Sequence, residues 1–188
     1  MATRYAALLR GINVGGHKKV PMAELREVLS ELGHTDVATH LQSGNAVFST
    51  DTDDGEQALA ADLERAIAGR FGFAVDCLVR DGAYLRAIVD DCPFPAAELE
   101  GRQLHVTYFS APVTPARFAA VDAAEFAPEA FRLGDRALYL YAPDGLGRSR
   151  LADVLARPAL LKGTVATSRN WNTVRRLAEL TDLTNPTG

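Results

Sequence analysis

The chain has 188 residues, 47% of them hydrophobic and 23% charged, and its 20 basic against 24 acidic side chains leave a net charge of −4. That size and balance suit a folded body with a sizeable core and exclude wholesale disorder. No run approaches the ~20 apolar residues of a membrane span, no secretory signal pattern is present, and two cysteines make no disulfide framework, so a cytoplasmic, reduced protein with no membrane partner is expected.

Charge is uneven along the chain. Residues 51–100 hold 12 acidic and 4 basic groups, while the segments on either side are slightly basic. A nucleic-acid binder usually carries a basic excess or stripe, so nucleic acid is a disfavoured partner, whereas a small anion is not.

In chain order, the apolar run Tyr5 to Leu9 predicts a central strand. Pro21 opens a helix with Met22, Leu25, Val28, Leu29 and Leu32 on one face and Gly33 as its stop. Alternation at Val37, Thr39 and Leu41 predicts a second strand, and the turn Ser43-Gly44-Asn45 leads into a third through Ala46, Val47 and Phe48. Asp54 is placed to cap a long helix with Leu59, Leu63, Ile67 and Phe71 inward. Val75, Cys77 and Val79 make a fourth strand, and a short helix carrying Leu85, Ile88 and Val89 ends before Pro93.

The second half runs in the same order. Leu104, Val106 and Tyr108 alternate as a strand, and Thr114-Pro115 is an N-cap and N1 pair for a helix with Phe118 and Val121. Residues 129–133 and 137–141 read as a hairpin around Gly134-Asp135. A helix bears Leu151, Val154 and Leu155, a weak strand is expected at 164–167, and a last helix starts at Trp171 with Val174, Leu177 and Ala178 inward. The tail Thr184 to Gly188 is expected to fray.

Each half is therefore β-α-β-β-α-β followed by a helix, the split pattern of a ferredoxin-like unit. The expected class is α+β: two ferredoxin-like subdomains, residues 1–100 and 101–188, each with an extra C-terminal helix, packed into one compact body. Tyr139 and Tyr141 lie on one side of their strand, where they serve either packing or, less favoured, a base-stacking platform.

Three segments are candidate sites. Arg10-Gly11-Ile12-Asn13-Val14-Gly15-Gly16-His17-Lys18-Lys19 joins a strand to a helix; its glycines allow left-handed turns, and exposed amides with Arg10, Lys18 and Lys19 make an anion nest. It lacks the Gly-Lys-Ser/Thr of a P-loop and the spacing of a dinucleotide loop. In Thr167-Ser168-Arg169-Asn170-Trp171-Asn172-Thr173, Asn170 is a good N-cap and Arg169 brings a cation to a helix N-terminus. Gln42-Ser43-Gly44-Asn45 is explained by a hairpin turn, although strand adjacency would set Asn45 beside the strand that ends at Arg10. The expected ligand-binding set is Arg10, Asn13, Gly15, Gly16, Lys18, Ser43, Asn45, Arg169 and Asn170, with Arg169 and Asn170 forming a second wall. Histidines 17, 34, 40 and 105 show no metal-ligand spacing, Cys77 and Cys92 read as structural, and the acidic run Asp51, Asp53, Asp54 and Glu56 reads as a charged surface turn.

The motifs Arg10-Gly11-Ile12-Asn13-Val14-Gly15-Gly16 with Lys18, Ser43-Gly44-Asn45, Cys92-Pro93-Phe94 and Arg169-Asn170-Trp171-Asn172-Thr173-Val174 resemble, in order and spacing, a bacterial family known only as a conserved domain of unknown function. The resemblance spans about residues 3 to 180 and implies two ferredoxin-like subdomains. It departs at Cys92, where the family pattern has Asn-Pro-Phe. The resemblance implies no activity and no cofactor, and a fold supplies neither. The expected function is binding of a small anionic ligand, a phosphate, nucleotide or carboxylate metabolite. A nucleic-acid module and a protein-interaction role are the alternatives, and no acid–base pair is assigned that would make the chain an enzyme.

Overall fold

The computed structural model describes residues 1–183, so the fraying expected of the tail lies outside the described residues. The chain forms two compact units, Met1–Arg86 together with the chain from Leu177 on, and Ala87–Arg176.

The first unit holds β1 (Thr3–Leu9), α1 (Met22–Glu31), β2 (Thr35–Thr39), β3 (Asn45–Thr50), α2 (Gly55–Phe71), β4 (Cys77–Asp81) and the start of α3 (Gly82–Asp90). Its sheet runs β2-β3-β1-β4 with every neighbouring pair antiparallel. That order follows from the split pattern: each helix returns the chain so that β3 slots between β1 and β2. Tyr5, Ala7 and Leu9 on β1, with Phe48 on β3 and Val79 on β4, meet Leu25, Val28 and Leu29 of α1 and Leu59, Leu63 and Ile67 of α2 in one core. The period-2 and period-3.6 apolar positions of the sequence are these residues. Gly72 ends α2 in the left-handed conformation that glycine takes without a Cβ clash. Asp54 sits before α2 but makes no side-chain cap bond, contrary to the expectation from its position.

The second unit holds β5 (Leu104–Phe109), β6 (Ala130–Gly134), β7 (Ala137–Tyr141), α4 (Arg150–Leu155), β8 (Ala166–Asn170) and the start of α5 (Trp171–Leu180). The sheet order β6-β7-β5-β8 is the same as in the first unit, again wholly antiparallel. Leu138 and Leu140 face Phe118, Leu151 and Leu155 in the core, which leaves Tyr139 on the opposite side of β7. Two expectations fail here. Thr114-Pro115 opens no α-helix; Pro115–Phe118 and Ala123–Phe126 are separate 3-10 turns, because Asp122 is extended and its carboxylate accepts the Ala124 N–H, starting a new turn. The last strand covers 166–170 rather than 164–167.

The compact units divide the chain elsewhere than at residue 100. The Tyr139 hydroxyl donates to the Ile88 carbonyl at 2.6 Å, so the end of α3 goes with the second unit, and Arg4 Nε donates to the Leu180 carbonyl at 2.6 Å, so the end of α5 returns to the first.

His34 follows α1 and is buried, its ring stacked on Phe48 at 4.4 Å. Burial holds its pKa below the ordinary histidine value against the attraction of Asp62, and burial does the same to His105. The folded state then binds fewer protons than the unfolded chain, so stability is full above pH ~6.5 and falls as pH drops through that value. His34→Phe keeps the stacked ring, so urea unfolding at pH 7.5 and 5.5 should show a smaller acid loss in the variant, with His105 carrying the remainder.

Candidate functional site

The strongest site elements cluster at the end of the first sheet where β1 finishes and β3 begins. Leu8 pairs with Asn45, and the Leu9 N–H donates to the Gly44 carbonyl at 2.8 Å, so the turn 42–45 lies beside the loop that leaves β1. Gly44 has φ +95°, and a Cβ there would stand 3.0 Å from Leu9 Cβ and 3.1 Å from Ile12 Cδ1. Glycine is required by both the backbone and the close approach.

Within the loop, residues 13–18 form a small hairpin of their own. Asn13 N–H donates to the Lys18 carbonyl at 3.1 Å and His17 N–H to the Val14 carbonyl at 3.1 Å. Gly15 and Gly16 both take positive φ at its tip, as a two-residue turn of this hand demands. Asn13 pins the hairpin down. Its Nδ2 donates to the carbonyls of Val20 (2.9 Å) and Gln42 (2.7 Å), and its Oδ1 accepts the Val20 N–H at 2.9 Å. The positive φ at Asn13 is one that asparagine tolerates better than most residues. Lys18 Nζ donates to the Ala74 carbonyl at 2.8 Å, and Arg10 faces Asp76 at 3.5 Å across exposed surface. The loop is thus basic and anchored at both ends.

Ser43 is exposed. Asn45 is fully buried and works on the turn itself, its Nδ2 donating to the His40 carbonyl at 3.0 Å and to Ser43 Oγ at 3.2 Å. The structure therefore brings Arg10, Asn13, Gly15, Gly16, Lys18, Ser43 and Asn45 to one end of one sheet. Asn13 and Asn45 serve as props, and the cations and glycine amides form the exposed part.

Arg169 and Asn170 belong to the second unit. Arg169 is 8% exposed and donates through one guanidinium nitrogen to Thr167 Oγ1 at 2.7 Å and to the Ser168 carbonyl at 2.9 Å. Burial pulls its pKa down to about 10. Asn170 caps α5 by accepting the Thr173 N–H at 3.0 Å. The first unit holds a matching arrangement that the sequence reading passed over. Arg80 is buried on β4, and Asp81 caps α3 by accepting the Tyr84 N–H at 2.7 Å. In both sheets a buried arginine and a capping side chain close the last strand directly into a helix. The signal was the pair Arg80-Asp81 standing in its unit where Arg169-Asn170 stands in the other.

Glu56 corrects the reading of the acidic run. Instead of a surface charge, it accepts the Asp81 N–H at 3.0 Å through Oε1 and faces Arg80 at 3.5 Å through Oε2. Asp51, Asp53 and Asp54 do stay exposed. Tyr139 is buried with its hydroxyl engaged, and Tyr141 is half-buried against Phe94, so the pair offers no open stacking platform. Cys77 is buried, and burial pushes its thiol pKa well up, which leaves it unreactive. Among the described residues no three His, Cys, Asp or Glu side chains converge as a metal set, and no helix is long and apolar enough to cross a membrane.

Residues 2–139 match the family described as Protein of unknown function (DUF1697). Among solved structures, the conserved bacterial protein SP0830 from Streptococcus pneumoniae is similar at a TM-score of 0.77 and 26% identity, over 97% of this chain and 100% of that one. No curated protein matches the chain.

Proposed function

The chain belongs to DUF1697, a bacterial family of proteins of unknown function, and from that premise we propose that the loop end of its first unit binds a small anionic ligand. The reading is carried by one observation: Arg10, His17, Lys18 and Lys19 share a loop in which Gly11, Asn13, Gly15, Gly16 and Lys18 all take positive φ. Gly15 and Gly16 stand exposed at the hairpin tip beside these cations, and backbone N–H groups open to solvent next to positive charge suit an anion. The asparagine props support it, because a site whose loops are already ordered loses little entropy when a ligand arrives.

In this reading Gly15 and Gly16 supply amides, Arg10 and Lys18 supply charge, and Ser43 a hydroxyl at the rim. Asn13 and Asn45 position them. The proposal draws on the first unit alone: Asn170 Oδ1 is taken up in capping and Arg169 is buried on its own strand.

Thermal unfolding in inorganic phosphate tests it, with a Lys18→Ala/Lys19→Ala variant alongside. A ligand at 100 times its dissociation constant stabilises by about 2.7 kcal/mol. Phosphate also stabilises proteins generally by exclusion from their surface, so the variant sets the baseline. A larger shift in the natural chain than in the variant supports the proposal. Equal shifts in both overturn it.

A further inference from the structure

The two loops at this end carry more than charge. Val14 is 66% exposed and Leu41 is 56% exposed. The Asn13 to Gln42 hydrogen bond ties the loop that carries Val14 to the turn that carries Leu41, so the two exposed apolar residues lie on adjoining loops. Leu41 has φ +60°. A bulky residue there costs energy that glycine or asparagine would avoid, and at a position 56% exposed packing returns only part of it. Folding thus does not call for an exposed leucine or valine here; Val14 shares its loop with Arg10, His17, Lys18 and Lys19, and Leu41 sits on the turn tied to that loop.

Resting on the anion-binding reading above, we propose that the ligand is an organophosphate: a phosphate monoester whose apolar or planar body lies against Val14 and Leu41 while its phosphate meets the cations and the glycine amides. Charge complementarity selects the phosphate. The apolar pair selects the body, since covering it removes apolar surface from water on both partners, and a modest contact is worth about tenfold in affinity.

The experiment is a calorimetric titration of the whole chain with inorganic phosphate, phenyl phosphate and phenol, repeated on Val14→Ser/Leu41→Asn. Both positions are exposed and asparagine accepts positive φ, so the variant keeps the fold, which a thermal melt verifies. The expected result is phenyl phosphate about tenfold tighter than inorganic phosphate in the natural chain, no heat from phenol, and near-equal binding of the two phosphates in the variant. Equal affinities in the natural chain, or a variant that weakens both phosphates alike, overturns the organophosphate inference and leaves the anion site standing. If neither phosphate binds, the anion reading itself fails and this inference with it.

Discussion

Asn13→Asp should destabilise the chain more than Asn13→Ala, and the alanine variant should itself cost about 2–4 kcal/mol. Asn13 makes three hydrogen bonds, donating to the Val20 and Gln42 carbonyls and accepting from the Val20 N–H. Each is worth about 1 kcal/mol net, and alanine also loses the tolerance of asparagine for positive φ. Aspartate keeps the shape but turns a carboxylate oxygen toward two carbonyl oxygens, adding repulsion to the loss. Urea unfolding at neutral pH gives the order. Little difference among the three chains would mean that the Asn13 side chain does not hold the loop. The same variants should lose the phosphate-dependent shift, because the loops that carry the cations are no longer held together.

Phe48→Ala should cost about 3–5 kcal/mol, the usual range for emptying a large aromatic site in a close-packed core. Phe48 is 1% exposed, pairs across the strands with Tyr5, and stacks between the rings of Tyr5 at 5.8 Å and His34 at 4.4 Å. Phe48→Leu, which keeps most of the volume, should cost distinctly less. A large drop in the urea midpoint with alanine and a small one with leucine is the expected pattern, whereas equal losses would mean that the ring stack, and not the volume, carries the stability.

Most of the fold is legible in the residues because its two periodicities are clean. The α2 stripe Leu59, Leu63 and Ile67 and the β1 run Tyr5 to Leu9 admit one placement each, and the order of elements leaves the split pattern as the simplest topology. The segment after Thr114-Pro115 departs from the expected helix for a local reason. Its alanines favour a helix, but Asp122 satisfies the Ala124 N–H from outside the helical path and restarts the chain in a second 3-10 turn. The last strand runs on to Asn170, past the expected 164–167, through the polar stretch Thr167-Ser168-Arg169-Asn170; its inward positions are threonine and arginine, whose burial no hydropathy pattern reveals.

The candidate site was legible as a cluster of residue types but not as a division of labour. Glycines, cations and an asparagine in one loop point to an anion-competent turn. That Asn13 and Asn45 would spend their amides on backbone carbonyls, and that Glu56 would turn inward to Arg80, depends on which loops the sheet brings together. Strand register decides that, and register is a long-range property.

The central claim is that the loop end of the first unit, held by Asn13, takes an anion. Amide chemical shifts during a titration with inorganic phosphate test it residue by residue. The account predicts saturable shifts at Gly15, Gly16, Lys18 and Ser43, which vanish in Asn13→Ala. Shifts confined to the start of α5 around Trp171–Thr173, or none at saturating phosphate, would contradict it.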